Sequence, residues 1–285
     1  MKIPSTFLLR LIVLAMIVIL DRSSLRLTSN SMDDVIPLPR AHAHNDYYHR
    51  RPLRDALALG FTSVEADVFL IDGELLVGHD RWELNPQRTL ESLYLEPLAA
   101  IVAENEGSVF AGHPNQVFWL HIDVKSAARD TFVAIQKRLQ QFPTLFQINP
   151  EAGQSSHVAP VRVVISGNRD YQQIANARPR IAGIDGRMTD LSSELSVEVM
   201  PLLSDNWRSH FNWSGRGEMP DAERQKLLQW VQQAHASGRK VRLWGTPENR
   251  AVWSELIEAK VDFINTDQLK KLQQFLLSAD SRQHQ

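Results

Sequence analysis

Five residues suited to metal binding and to acid–base chemistry fall within one run of the chain, PLPRAHAHNDYYHRRPLRDALALGFTSVEADVFLIDGELLVGHD, from Pro37 to Asp80: His42, His44, Glu65, Asp67 and His79. In SVEADV, residues two apart on a strand point to the same side, about 6.5–7 Å from each other. Glu65 and Asp67 therefore share one face, and Val64, Ala66 and Val68 the other. Two carboxylates on one face of an apolar strand cannot both be buried and ionised without compensation. A hard divalent cation compensates through oxygen ligands; an arginine or lysine partner does so through an ion pair.

FWLHIDVKS repeats the spacing, with Trp119, His121, Asp123 and Lys125 on one face. Asp123 is the candidate third carboxylate, and Lys125, one step further out, is suited to a phosphate. His121, one step deeper, reads as a hydrogen-bonded interior histidine, because buried polar groups find partners. In RAHAHNDYY, His42 and His44 share a face, and Asn45 offers a carbonyl oxygen to a cation. LLVGHD ends another strand with His79. Two histidines facing each other across a bound anion make a general base and a general acid, since imidazole titrates near neutrality. On the cation reading, one divalent ion, Mg²⁺ or Ca²⁺, has Glu65, Asp67, Asp123 and Asn45 as its candidate ligands. His79 and one of His42 and His44 make the proton-transfer pair; Lys125, Trp244 and the other of these two histidines are candidates for contact with substrate.

The elements that must position these residues alternate along the chain. Strand-like segments are Val35–Ala43, Ser63–Val68, Glu74–Gly78, Val117–Lys125, Val161–Gly167, Ile181–Asp185, Val199–Leu203, Lys240–Trp244 and Val261–Ile264. Most are short and rich in Val, Ile and Leu, as buried parallel strands are. Helix-like segments are Pro52–Leu59, Leu90–Glu104, Ala127–Gln141, Ala222–Ala236, Pro247–Glu258 and Gln268–Leu277. This alternation predicts an α/β fold, a TIM-type (β/α) barrel with parallel strands, which needs about 250 residues. Asp72-Gly73 joins two strands by a tight turn instead of a helix. A doubly wound open sheet is the alternative, and no glycine-rich phosphate loop follows the first strand to support it.

The 285 residues carry a formal charge of −2 and no cysteine. No nucleic-acid partner is expected from that balance, and thiolate ligands, disulfides and a cysteine nucleophile are excluded. The run Leu11–Leu20 contains no polar residue. It is short for a span, which needs about 20 residues, and suits a signal peptide or a short membrane anchor over residues 1–20. Residues 21–34 read as a linker and residues 35–285 as the barrel. Export to the periplasm or outside the cell, or anchoring at a membrane, is the expected location.

HND, then VEAD, then VGHD resembles the phospholipase C-like phosphodiesterase superfamily, which includes glycerophosphodiester phosphodiesterases and phosphoinositide phospholipases C. The run is most similar to the altered inheritance of mitochondria branch. HIDVKS is similar to the family's acidic-x-Lys strand. RLWGTPENRAVWSELIEAKVDFINTDQL resembles the C-terminal end of glycerophosphodiesterases. The resemblance implies a metal-dependent phosphoric diester hydrolase with a role in lipid metabolism, acting on a phospholipid-type or glycerophosphodiester-type substrate and open to contact with a membrane surface. It matches His44 and His79 to the catalytic histidines, which leaves His42 for contact with substrate, and Asn45, Glu65 and Asp67 to metal ligands. The usual His-Arg-Gly start of glycerophosphodiesterases is replaced by AHAHNDYYHR, so the leaving alcohol is not specified.

Two other readings suit the same residues. HAH at a first strand end also opens amidohydrolase-like zinc barrels, but these need further histidines on later strands, and VVISGN, IAGIDG, VMPLLSDN and RLWGTP contain none. A catalytically inactive barrel that binds a lipid head group is the second, since a fold alone does not establish activity.

Overall fold

The computed structural model describes residues 35–146 and 159–283. The expected signal peptide or anchor (1–20) and linker (21–34), with most of the loop around Gly153, lie outside the described residues. Among the described residues, no helix is long and apolar enough to cross a membrane.

Among the described residues nine strands form: β1 (Leu38–Ala43), β2 (Phe61–Ile71), β3 (Glu74–Val77), β4 (Phe118–Val124), β5 (Val161–Gly167), β6 (Ala182–Gly186), β7 (Leu202–Asn206), β8 (Lys240–Trp244) and β9 (Phe263–Thr266). Eight of them close into a parallel barrel, running from β1 through β2, β4, β5, β6, β7, β8 and β9 back to β1. The ninth, β3, pairs antiparallel with the far end of β2. Helices alternate with the strands along the chain, the longest being Asp221–Ala236 and Leu269–Gln283.

Local chemistry sets several of these boundaries. Gly60 turns the chain into β2 at φ +80°, and a Cβ there would overlap the Ile36 carbonyl. Asp72 and Gly73 both have positive φ, the backbone that a two-residue hairpin turn demands. β7 starts three residues later than expected. Val199 and Met200 donate their N–H groups to the Ser196 carbonyl, and Pro201 has none to give a ladder. β9 is shifted by two residues because Val261 N–H closes the preceding helix on Leu256 O, at 2.9 Å. The expected helix Leu90–Glu104 divides into a wide π-turn, Glu91–Leu95, and a regular helix, Glu96–Glu104. Pro97 lies in the first turn of the second piece, where its missing N–H breaks the i→i−4 pattern.

The lumen is filled from the bottom upward. Trp119, Val164, Leu202 and Phe263 plug its base. Above them lie His42, His121, Glu65, Asp185, Arg242 and Asn265, all buried. Arg242 ties most of this layer together, donating to His42, Glu65 and Asn265.

Candidate active site

The C-terminal rim of the barrel gathers residues from most of the strands and from the turns that follow them. β2 and β4 run side by side with Glu65 opposite His121 and Asp67 opposite Asp123. Because β2 is eleven residues long, it continues beyond its barrel neighbours and folds over as the β2–β3 hairpin. The hairpin carries Gly78 back so that its N–H meets Asp67 O at 3.1 Å. His79 thereby arrives beside Asp67, its Nδ1 2.9 Å from Oδ2. From the other side, Asn45 adopts a left-handed conformation, φ 48° and ψ 41°, which turns the chain out of β1. Tyr47 then lies with its hydroxyl 2.9 Å from both Asn45 Oδ1 and Asp67 Oδ2.

A cavity of about 200 Å³ opens here, lined by His44, Asn45, Glu65, His79, Asp123, Lys125, Ser166, Arg187, Arg242 and Trp244. Glu65, Asp67 and Asp123 each offer a carboxylate oxygen, and these atoms lie within 4.8 Å of one another. That spacing suits a common ion at 2.0–2.6 Å from each. One oxygen each of Asp67 and Asp123, Oδ1 in both, is buried without a hydrogen-bond partner. The donor set of hard oxygens and these two orphaned atoms fit a divalent cation. Asp123 is held against Gly167, which has φ +65° and where a Cβ would overlap Asp123 Oδ1.

The ion-pair reading is realised as well. Lys125 Nζ lies 3.0 Å from Asp67 Oδ2 and 3.3 Å from Asp123 Oδ2. Arg242 crosses the lumen from β8 and donates to Glu65 Oε2. Its other nitrogen lies 3.6 Å from Asp185 Oδ2, a carboxylate that also accepts from Ser204 Oγ at 2.7 Å.

These partners explain the titration behaviour. Burial would raise the Glu65 pKa, but Arg242, then His42 and His44, hold it well below the usual carboxylate value. Asp123 has no such arginine; burial and then the Glu65 charge push it up to about 6, despite Lys125. Asp67 is raised by burial and by Glu65, with Lys125 and His79 opposing. Burial would lower His44; its hydrogen bond to Asp267, with Glu65 nearby, outweighs that and raises it. His44 Nδ1 is 2.8 Å from Asp267 Oδ1, which leaves Nε2 directed at the site, 3.7 Å from Glu65 Oε1.

Of the residues singled out from the sequence, Glu65, Asp67, Asp123, Asn45, His44, His79, Lys125 and Trp244 are brought to one rim. His42 is not at the surface of the cavity, which corrects its expected contact with substrate. It is fully buried, with Nδ1 2.7 Å from Ser63 Oγ and Nε2 2.7 Å from Arg242 Nη1. Burial, then Arg242, takes its pKa down to about 3, so it is a neutral acceptor for the guanidinium. His121 also departs from expectation. Both ring nitrogens are buried without hydrogen-bond partners, and the ring packs instead against His42, 4.6 Å between centroids, and Phe263.

Arg242, Tyr47, Arg187 and Ser166 were not singled out from the sequence. Arg242 had a signal: KVRLW sets an arginine two residues before Trp244, on the same face of a short apolar strand. The segment SDNWRSHFNWSGRGEM, whose sequence suits a substrate lid or a plain surface loop, starts in β7 and a short helix, Trp207–His210, and continues as an irregular surface stretch anchored by buried aromatic residues. Trp207 stacks on Phe211, 4.3 Å between centroids, and Trp207, Phe211, Trp213 and Met219 are buried.

Residues 29–183, more than half of the chain, match the family described as AIM6-like phosphodiesterase domain. Residues 240–270 match the Glycerophosphoryl diester phosphodiesterase family. Altered inheritance of mitochondria protein 6 of Eremothecium gossypii is 31% identical over 277 residues, covering 85% of this chain and 70% of that protein. The homolog of Arthroderma benhamiae is 28% identical over 274 residues, covering 87% of each. Among solved structures, a glycerophosphodiester phosphodiesterase from Parabacteroides distasonis superposes with a TM-score of 0.50 at 15% identity, covering 85% of this chain and 98% of that one. That likeness agrees with the barrel. The chain belongs to the AIM6-like phosphodiesterase family.

Proposed function

We propose that the protein hydrolyses phosphoric diesters with one divalent cation, Mg²⁺ or Ca²⁺, and with His44 and His79 as base and acid. The observation that carries this reading is the convergence of Glu65, Asp67 and Asp123 between the two rim histidines. A cation held by these carboxylates, with Asn45, would supply Lewis-acid neutralisation of a non-bridging phosphoryl oxygen. Lys125, at the same rim, adds a fixed positive charge where negative charge develops. His44, its Nδ1 committed to Asp267, uses Nε2 to take the proton of the attacking hydroxyl, either water or a hydroxyl of the substrate itself. The new P–O bond forms in line with the departing oxygen. His79, 49% exposed and held through Nδ1 by Asp67, gives a proton to that alkoxide as its P–O bond breaks. An attacking hydroxyl within the substrate gives a cyclic phosphate first, with the proximity gain of an intramolecular step.

The zinc-barrel alternative uses both histidines of HAH as ligands, but His42 is committed to Ser63 and Arg242. The inactive-barrel alternative predicts binding without turnover. A lipid-type substrate and contact with a membrane surface belong to the proposal; Trp82 and Tyr48, 80% and 57% exposed, support them as aromatic side chains close in sequence to His79 and His44. Export or anchoring through residues 1–20 is part of the same proposal and is checked by N-terminal sequencing and cell fractionation. The deciding experiment is turnover of a panel of phosphodiesters by purified protein treated with chelator and then given Mg²⁺, Ca²⁺ or Zn²⁺. Activity restored by Mg²⁺ or Ca²⁺ supports the reading. Restoration by stoichiometric Zn²⁺ alone favours the zinc barrel, and no turnover at all favours the inactive one.

A further inference from the structure

We infer that Arg187, with Ser166 and Trp244, forms a subsite for an oxyanion carried by the alcohol portion of the substrate, a carboxylate or a second phosphate. The inference rests on the phosphodiesterase reading and specifies its substrate class.

Three cationic side chains line the cavity: Lys125, Arg187 and Arg242. Two are consumed. Lys125 lies between Asp67 and Asp123, and Arg242 serves Glu65, His42 and Asp185. Arg187 differs. Only its Nη1 is engaged, with Gly186 O at 3.1 Å, Ser204 Oγ at 3.3 Å, and Asp185 O and Oδ2 each at 3.5 Å. Nε and Nη2 have no protein acceptor among the described residues, and the side chain is 28% exposed. Asp205 does not compete for them: it receives the Met188 N–H and pairs with His210 at 3.2 Å.

Anchoring through one nitrogen fixes the guanidinium plane while two donors stay open. That is the geometry with which arginine receives a carboxylate or phosphate by two parallel hydrogen bonds. Ser166 follows from the same register. It pairs with Asp123 across β4 and β5, so it lies level with the third carboxylate of the cluster and lines the same cavity. Trp244 at the end of β8 supplies an apolar wall. The subsite is reached from strands β5, β6 and β8, whereas the proton-transfer histidines follow β1 and β3. An alcohol leaving toward Arg187 therefore has its distal end read by a group that takes no part in the chemistry.

The test is binding by calorimetry of glycerol phosphate and of phosphoglycerate, which differ by a carboxylate in place of a hydroxymethyl group. Each is titrated into the wild type, Arg187→Gln and Arg187→Lys, with Mg²⁺ present, and circular dichroism checks that each variant is folded. The wild type should bind phosphoglycerate about 10- to 100-fold more tightly, the worth of a charge-assisted pair of hydrogen bonds. Arg187→Gln should bring the ratio to within about threefold, and Arg187→Lys should keep part of it, a point charge without the fork. Equal affinities in the wild type, a ratio unchanged in Arg187→Gln, or binding of neither ligand would overturn the subsite. Failure of the phosphodiesterase reading shows separately, as the ligand preference without turnover of any diester.

Discussion

Arg242 and Glu65 lie 177 residues apart in the chain and meet inside the barrel, where the guanidinium donates to Glu65 Oε2. β8 and β2 are not neighbours; β9 and β1 stand between them. The pair spans the lumen and fixes which Glu65 oxygen is left for the cavity. Both side chains are almost fully buried, so each compensates a charge that the interior would not otherwise accept.

Arg242→Met leaves Glu65 and Asp185 without their shared cation. Breaking a buried pair from one side costs about 3–5 kcal/mol, and denaturant unfolding should show a loss of that size. Burial would then raise Glu65, so cation affinity measured by calorimetry should change as well.

His44→Ala and His79→Ala should each lower turnover by about 10²–10⁴-fold, the usual worth of a positioned acid or base, with cation affinity nearly intact. His42→Ala should act differently. It removes an acceptor from Arg242 and a partner from Ser63, at a stability cost of about 1–3 kcal/mol. Single-turnover rates and melting temperatures on the three variants separate the two kinds of effect.

The acidic limb of kcat/KM should lie above the ordinary imidazole value, because the hydrogen bond to Asp267 and the Glu65 charge outweigh burial at His44. Asp267→Asn removes the charge that favours the imidazolium. The limb should move to lower pH, and the maximal rate should fall as the orienting hydrogen bond weakens. A pH–rate profile of the two proteins checks the direction.

Cation binding should stabilise the fold more at neutral pH than in acid. Asp123 titrates at about 6 in the folded chain, above its ordinary 3.8. A carboxyl raised by folding contributes stability that is complete below its unfolded pKa and is lost as pH rises through the folded one. The cation-free protein should therefore lose stability between about pH 4 and 6 from this group, and Mg²⁺ or Ca²⁺ should restore it above that window. At 100 times the dissociation constant the gain is about 2.7 kcal/mol. Thermal melts at pH 4.5 and 7.5, with Asp123→Asn as control, measure it.

Gly167→Ala should damage the site from outside the carboxylate cluster. At φ +65° a side chain is strained, and its Cβ would overlap Asp123 Oδ1 and crowd Val124. A stability loss of about 1–2 kcal/mol follows from the left-handed backbone. A drop in cation affinity follows from the displaced carboxylate, read by calorimetry.

The local chemistry of this site was legible in the chain itself. Period-two spacing in SVEADV and HIDVKS places Glu65 with Asp67 and Asp123 with Lys125, because a strand alternates its faces whatever surrounds it. Strand–helix alternation implied the barrel, and Asp72-Gly73 marked the hairpin that returns His79. What spacing cannot express is which distant side chain completes a charge. Arg242 reaches Glu65 across two intervening strands, and Asp267 reaches His44 from 223 residues away, through ring closure that no local pattern encodes. The same closure decided between two histidines of identical type two residues apart. His44 lies past the end of β1, where the backbone turns at Asn45, and opens on the cavity. His42 lies within the strand and is sealed beneath Glu65 as the acceptor of a buried arginine. Depth along a strand, set by how eight strands stagger around a common axis, is a property of the assembled barrel and not of any segment of it.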